Sequence, residues 1–198
     1  MASRQSAFTR SAPDERRHSL IEATARCLAE RGAAGVSVRT ICAEAGVSPG
    51  LLRHYFAGVS DAIAEAYRWT GTKVALALSE AVAAAGPHPR ARLLAYLTAS
   101  FRPPIAHPEL LATWIAFWSL TRSDPAIAVV HQDIYRDFRS GIEALVDEWR
   151  PGTDPRLPAV ALTALIDGLW LELSLGHAPF TPEEAERLVG LWLDGLLG

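Results

Sequence analysis

A chain of 198 residues that is 49% apolar and 21% charged can bury a core without staples, which excludes disorder over most of its length and leaves no need for a small disulfide-bound scaffold. Its two cysteines, Cys27 and Cys42, stand in no C-x-x-C or Cys/His cluster, so no metal or cofactor is called for and a reducing compartment fits. The formal net charge of −3 hides an asymmetry: residues 1–60 carry eight Arg against five acids, net +3, on a body of net −6, and such a first third is suited to a polyanion.

The start, MASRQSAFTRSAPDERR, is polar and has no signal-like apolar run, and no later stretch reaches the ~18 uncharged apolar residues of a spanning helix. A soluble, cytoplasmic protein is therefore expected, with residues 1–13 as a flexible basic arm bearing Arg4 and Arg10. From Asp14 to Arg31, Leu20, Thr24, Cys27, Leu28 and the stem of Arg31 recur at helical spacing and predict a first amphipathic helix, stopped by Gly32 and Gly35. Ser37 is placed to cap a short helix, VRTICAEA, whose buried face is Val38, Ile41, Cys42 and Ala45, and Gly46 is placed to end it.

Gly46-Val47-Ser48-Pro49-Gly50 matches G-x-S-x-G, the pattern of a hydrolase's nucleophile elbow, so two roles compete for Ser48. An elbow needs a buried strand before the serine, whereas TICAEAG is a helix end carrying Glu44. Ser followed by Pro is instead a helix start, because the hydroxyl accepts from an orphan N–H while Pro has none to orphan. A third helix is predicted from Pro49 to about Tyr55, and no catalytic residue is assigned. Two short helices joined by a tight Gly-containing turn form a helix-turn-helix unit.

The stretch VSVRTICAEAGVSPGLLRHYF, within residues 14–65, resembles the N-terminal domain of the TetR family of transcriptional regulators, with its T-x-x-x-I-A helix, G-V-S turn and recognition helix in order. The resemblance implies that Ser37, Arg39, Ser48, Leu51, Arg53, His54 and Tyr55 face DNA. Their chemistry suits a DNA surface, since Arg presents paired donors to a guanine edge, hydroxyls and imidazole bond phosphates, and Leu51 can meet a thymine methyl. Leu52 and Phe56 read as core. Where the family usually carries a phosphate-gripping Lys, this chain has Val59, which leaves compensation to Ser60 or to an arm with Arg4, Arg10, Arg16 and Arg17.

Ser60 is expected to cap a long helix, SDAIAEAYRWTGTKVALALSEAVAAA, broken by Gly86–Pro89. Further helices are predicted at Arg90–Phe101, Glu109–Thr121, Pro125–Trp149, Pro155–Leu175 and Pro182–Leu197, with no sustained strand alternation. The fold class is all-α: residues 14–60 form the DNA-binding helices and 61–198 a larger helical domain for ligand binding and dimerisation. LLATWIAFWSLTRSDPAIAVVHQDIYRDF and ALTALIDGLWLELSLG resemble the C-terminal domain of the BetI-like subgroup of that family, the choline-responsive repressors of glycine betaine synthesis.

Trp114, Phe117 and Trp118 share one helix face, and Asp167 and Trp170 share another. A carboxylate inside TALIDGLWLEL is costly to bury unless it has a partner or a ligand, and Trp faces with a carboxylate suit an organic cation. The resemblance places these helices near one another around an effector, with His131 and Tyr135 as weaker candidates. The stripe Leu162, Leu165, Ile166, Leu169 and Leu173, with Leu188, Leu191, Trp192 and Leu196 on the last helix, is expected to build an isologous four-helix homodimer interface. The sequence therefore reads as a homodimeric regulator, most simply a repressor, released from a pseudo-palindromic DNA operator by a small-molecule effector, with no membrane partner. An all-α enzyme with an aromatic pocket is the alternative, and a ligand-free architectural DNA-binding protein a second; no nucleophile or acid/base pair at motif spacing supports the enzyme.

Overall fold

The structure is a computed structural model that describes residues 8–197, with side chains from Pro13 onward. Among these residues there are nine α-helices and no strand: α1 (Phe8–Arg31), α2 (Val38–Ala45), α3 (Pro49–Tyr55), α4 (Val59–Ala84), α5 (Pro89–Thr98), α6 (Pro108–Leu120), α7 (Pro125–Trp149), α8 (Arg156–Ser174) and α9 (Pro182–Leu197). Short 3₁₀ turns follow α1 at Ala33–Gly35 and α5 at Ala99–Phe101. The first helix begins at Phe8, six residues before the expected Asp14, because Pro13 is carried inside it instead of marking its start. Of the expected arm, residues 1–7 lie outside the described residues, as does the Arg10 side chain.

The helices pack as two units, neither continuous in sequence: residues through Thr70 with Ala112–His131, and Gly71–Leu111 with Gln132 onward. The division differs from the single boundary expected after residue 60, because the first half of α4, most of α6 and the start of α7 pack with α1–α3.

In the first unit, α1 packs on α2 and α2 on α3. Leu20, Cys27, Leu28, Ile41, Cys42, Leu52 and Phe56 are buried, which is the apolar stripe the sequence outlines, except that Val38 and Ala45 are only half-buried at the two ends of α2 and Arg31 is exposed. A Cβ on Gly35 would run into the Arg31 side chain, so the turn after α1 needs glycine there. Arg26 Nε donates to Glu44 Oε1 at 2.7 Å, tying α1 to α2, and Thr113 Oγ1 donates to the Ala25 carbonyl at 3.4 Å, tying α6 to α1.

The second unit has its own core of Leu93, Leu97, Phe101, Ile142, Leu145, Val146, Ala159, Leu162, Ile166, Ala185, Val189, Leu193 and Leu197, from α5, α7, α8 and α9. Arg90 grips Asp194 with two hydrogen bonds of 2.8 and 2.7 Å, a fork that sets α9 against α5. Two glycines allow close approach within this unit: a Cβ on Gly71 would lie 2.8 Å from Ile134 Cδ1, and one on Gly141 would collide with the Tyr96 hydroxyl.

α8 is long and apolar enough to cross a membrane by length and composition, with a mean hydropathy of 1.4. Its apolar residues nevertheless divide between two faces. Leu162 and Ile166 point into the unit's own core and Leu169 and Leu173 pack against it, whereas Leu157, Val160, Leu171 and Leu175 are exposed. Two of the residues expected at a dimer interface, Leu162 and Ile166, are thus consumed by the chain's own interior, because α8 needs an inward face before it can offer an outward one. On α9, Leu188, Leu191, Trp192 and Leu196 are all exposed.

Candidate nucleic-acid interface and half-buried carboxylate

Local chemistry sets both short helices. The Ser37 Oγ accepts from Thr40 N–H at 3.2 Å while Ser37 N–H donates to Thr40 Oγ1 at 2.8 Å, a reciprocal cap with Thr in the place of the usual Glu or Gln. Gly46 ends α2 in the left-handed region at φ 65°, where a side chain would be strained. Ser48 Oγ then accepts from Leu51 N–H at 3.4 Å, and Pro49 occupies the first helical position. A helix, not a strand, precedes Ser48, so the elbow geometry is absent and its hydroxyl is a helix cap.

Leu52 is buried beneath α3, while Arg53, His54, Ser48 and Gly50 are exposed and Leu51 and Tyr55 are half-buried. Arg39 is exposed on α2, and Ser37 is half-buried at its start. His54 and Tyr55 meet edge to face with ring centroids 4.9 Å apart. The outer face of α3 therefore carries a guanidinium, an imidazole and a phenol, with two capped helix starts beside them. That set can bond base edges and phosphates.

The join from α3 to α4 is stiff. Phe56 N–H closes on the Leu52 carbonyl at 2.9 Å, and Ala57 N–H donates to Asp61 Oδ2 at 2.9 Å. The Ser60 hydroxyl, expected to cap α4, instead donates to Asp124 Oδ2 at 2.5 Å, while Asp61 in the first turn accepts from the Ala57 N–H ahead of the helix. Asp124 also caps α7, accepting from Ala126 and Ile127 N–H, and its carboxyl is held below the usual carboxylate range chiefly by the Ser60 hydrogen bond. Arg17 is not free for an arm-like role, since it pairs with Glu65, which also takes Arg68 at 2.7 Å, and lies over the Phe56 ring. Arg16 is exposed.

The aromatic residues of α6 sit in the first unit. Tyr67, which sequence spacing does not single out, is fully buried and stacks on Phe117 with centroids 4.1 Å apart and planes 10° apart. Trp114 meets Tyr67 edge to face at 5.3 Å, and Trp118 is half-buried. Phe117 is 0% exposed, so the ring expected to line a cavity is packed core whose face Tyr67 occupies. The Tyr67 hydroxyl lies 2.9 Å from His131 Nδ1.

Asp167 and Trp170 belong to the second unit, on α8. Asp167 is half-buried, and the Tyr135 hydroxyl of α7 donates to its Oδ1 at 3.0 Å. Burial pushes the carboxyl up to about 6, opposed by the Tyr135 hydrogen bond and then by the Arg139 guanidinium, which stands over the Tyr135 ring at 6.0 Å. Among the described residues Asp167 forms no salt bridge, and Trp170, one turn further along, is buried. Among the described residues no group of three or more His, Cys, Asp or Glu could hold a metal.

Two capped helices with a basic outer face, joined to a larger helical unit that holds a titratable carboxylate, define a helix-turn-helix DNA-binding regulator. Known proteins agree in both halves: residues 20–61 match the bacterial regulatory proteins of the TetR family, and residues 89–198 match the BetI-type transcriptional repressor C-terminal domain. The chain belongs to the TetR family of transcriptional regulators, with a BetI-type C-terminal domain. A curated relative, the HTH-type transcriptional regulator BetI of Burkholderia thailandensis, is 34% identical over 92% of this chain and 93% of its own. A solved transcriptional regulator from Pseudomonas aeruginosa PAO1 is 39% identical, with a TM-score of 0.86 over 98% of this chain and 96% of that one. A regulator from Saccharomonospora viridis, solved in complex with choline, shares the fold at 23% identity, with a TM-score of 0.77 over 91% of this chain and 96% of that one. These relatives are regulators of transcription, and the protein is not an enzyme.

Proposed function

We propose that the chain works in the cytoplasm as a homodimeric repressor, reads a pseudo-palindromic operator through α3, and is released by a small organic effector whose cationic group is held at Asp167. The observation that carries the effector class is the carboxylate itself: it lies on an apolar helix, is half-buried, makes no salt bridge among the described residues, and has a buried Trp one turn along. A cation would restore the ionised form that burial disfavours, and a ring beside it adds about 0.5–2 kcal/mol of attraction. Ser37, Arg39, Ser48, Leu51, Arg53, His54 and Tyr55 supply the DNA face, with Arg53 the base reader.

The homodimer is supported by the exposed apolar stripe of Leu157, Val160 and Leu171 on α8, continued by Leu175 just past its end, and by Leu188, Leu191, Trp192 and Leu196 on α9. Such paired helices suit an isologous four-helix interface. One short reading helix spans too few base pairs to be specific alone, which requires a second copy. Effector binding would favour a separation of the two reading helices that does not fit the operator.

Arg139 favours a second reading of the effector. Its guanidinium stands beside the same tyrosine, so a zwitterion, with its cation on Asp167 and its anion on Arg139, satisfies both charges. A gel shift of the purified protein on its own upstream DNA, titrated with choline, betaine aldehyde, glycine betaine and polyamines, tests both. Release by the cations supports the first reading, release by betaine alone the second, and release only by neutral or anionic compounds removes Asp167 from effector recognition.

A further inference from the structure

Two polar contacts in the first unit share an unusual regularity. Ser60 donates to Asp124, and Tyr67 bonds His131, and both pairs are separated by 64 residues. Ser60 and Tyr67 are seven residues apart on α4, and Asp124 and His131 are seven apart from the cap of α7 into its second turn. Equal steps in the same direction mean that α4 and the start of α7 run parallel here, in register, with two rungs about two helical turns, or ~10 Å, apart.

Neither rung is required merely to bury area. Phe117 and Trp114 already pack Tyr67, and Asp124 caps α7 with two backbone bonds whether or not Ser60 is present. Apolar side chains tolerate small sliding of one helix past another, whereas hydrogen bonds of 2.5 and 2.9 Å do not. What the register fixes is the reading head. Only Phe56, Ala57 and Gly58 separate α3 from α4; the Phe56 N–H bonds back to α3, the Ala57 N–H bonds forward to α4, and the Phe56 side chain, between them in sequence, is buried, so this short, tied link makes α3 move with the first turns of α4.

We infer that Ser60–Asp124 and Tyr67–His131 are a pair of positioning rungs that hold α4 in register with α7 and so set the placement of the reading helix α3 for specific DNA recognition. None of the four residues touches DNA in this role; they act through α4. Because either rung alone preserves the register, the two are redundant, and their loss is more than additive.

The test uses the intact protein carrying S60A, Y67F or both, and a duplex selected by the wild-type protein from a random pool. Y67F keeps the stacked ring and S60A keeps the α7 cap, so each variant is aimed at its own rung's hydrogen bond. Binding to the selected duplex is compared with binding to the same duplex scrambled, alongside the thermal midpoint. Each single variant should hold the selected-to-scrambled affinity ratio within about twofold, and the double variant should lose it by about tenfold, the order of one mismatched base pair. Scrambled-duplex binding should stay level, since phosphate contacts do not depend on register. A double variant that keeps the wild-type ratio overturns the proposal, as does one that loses both affinities equally through a lowered midpoint.

Discussion

Replacing Asp167 with Asn keeps the side chain's shape and an oxygen for the Tyr135 hydroxyl but removes the charge. Burial lifts this carboxyl from 3.8 to about 6, against the Tyr135 hydrogen bond and the Arg139 charge. Between those values the folded chain holds a proton that the unfolded chain has released. Stability therefore falls as pH rises through this window, is unaffected below it, and shows the full loss above about 6. The gap corresponds to at most about 3 kcal/mol, at ~1.4 kcal/mol per pH unit, and local relaxation reduces it. D167N is accordingly expected to stabilise the effector-free protein by about 1–3 kcal/mol at about pH 7.5, with the gain shrinking toward zero as the pH is lowered to about 4. Urea unfolding across that pH range reads the difference directly. The same variant should bind operator as the wild type does while losing its response to choline. A D167N protein that is less stable than the wild type by the same amount at every pH would refute the reasoning, because it would mean that the ionised carboxylate is already satisfied by its own chain.

Arg53→Ala should weaken specific operator binding by about 1–3 kcal/mol while leaving the fold intact, as measured by fluorescence anisotropy over a series of salt concentrations; unchanged affinity would remove Arg53 from the DNA face. Ser48→Ala should cost about 0.5–2 kcal/mol in thermal or urea unfolding through loss of the α3 cap, and a fluorophosphonate probe should leave Ser48 of the wild-type protein unlabelled. Leu191→Asp changes a residue that is 70% exposed in the single chain, so it should fold normally yet sediment as a monomer and bind operator poorly. A stable L191D dimer would move the interface off α9.

The parts of the fold written in local chemistry are legible in the sequence. Ser37, Gly46 and the Ser48–Pro49 pair each act within a few residues of themselves, and the bounds of α2 and α3 follow from them. Ser60 shows where that reasoning stops: as a serine ahead of a helical run it reads as a cap, but its partner is Asp124, 64 residues away, and it lies within the first turn of α4. The face of α8 is illegible for a different reason. With leucines on both sides of the helix, periodicity has no contrast, and only packing into the second unit's core, against α9 among others, decides that Leu162 turns inward and Leu171 outward. Spacing likewise puts Trp114 and Phe117 on one face without revealing that Tyr67 lies against them. A bulky, polar-tipped residue within the apolar run of α4 is the signal that could have pointed to Tyr67, whereas nothing local to Tyr135 names Asp167 as its partner. The carboxylate stands out because charge inside an apolar helix is conspicuous in any context.

The outward leucines of α8 and α9 also bear on how the protein responds to its own abundance. If two copies must meet along that stripe before either can hold DNA firmly, occupancy of the operator follows the product of two chain concentrations wherever pairing is incomplete. Halving the supply of chain in that regime would lower occupancy about fourfold instead of twofold. On that reading, operator occupancy would change more steeply than protein copy number, to a degree set by how tightly Leu191 and Trp192 are covered.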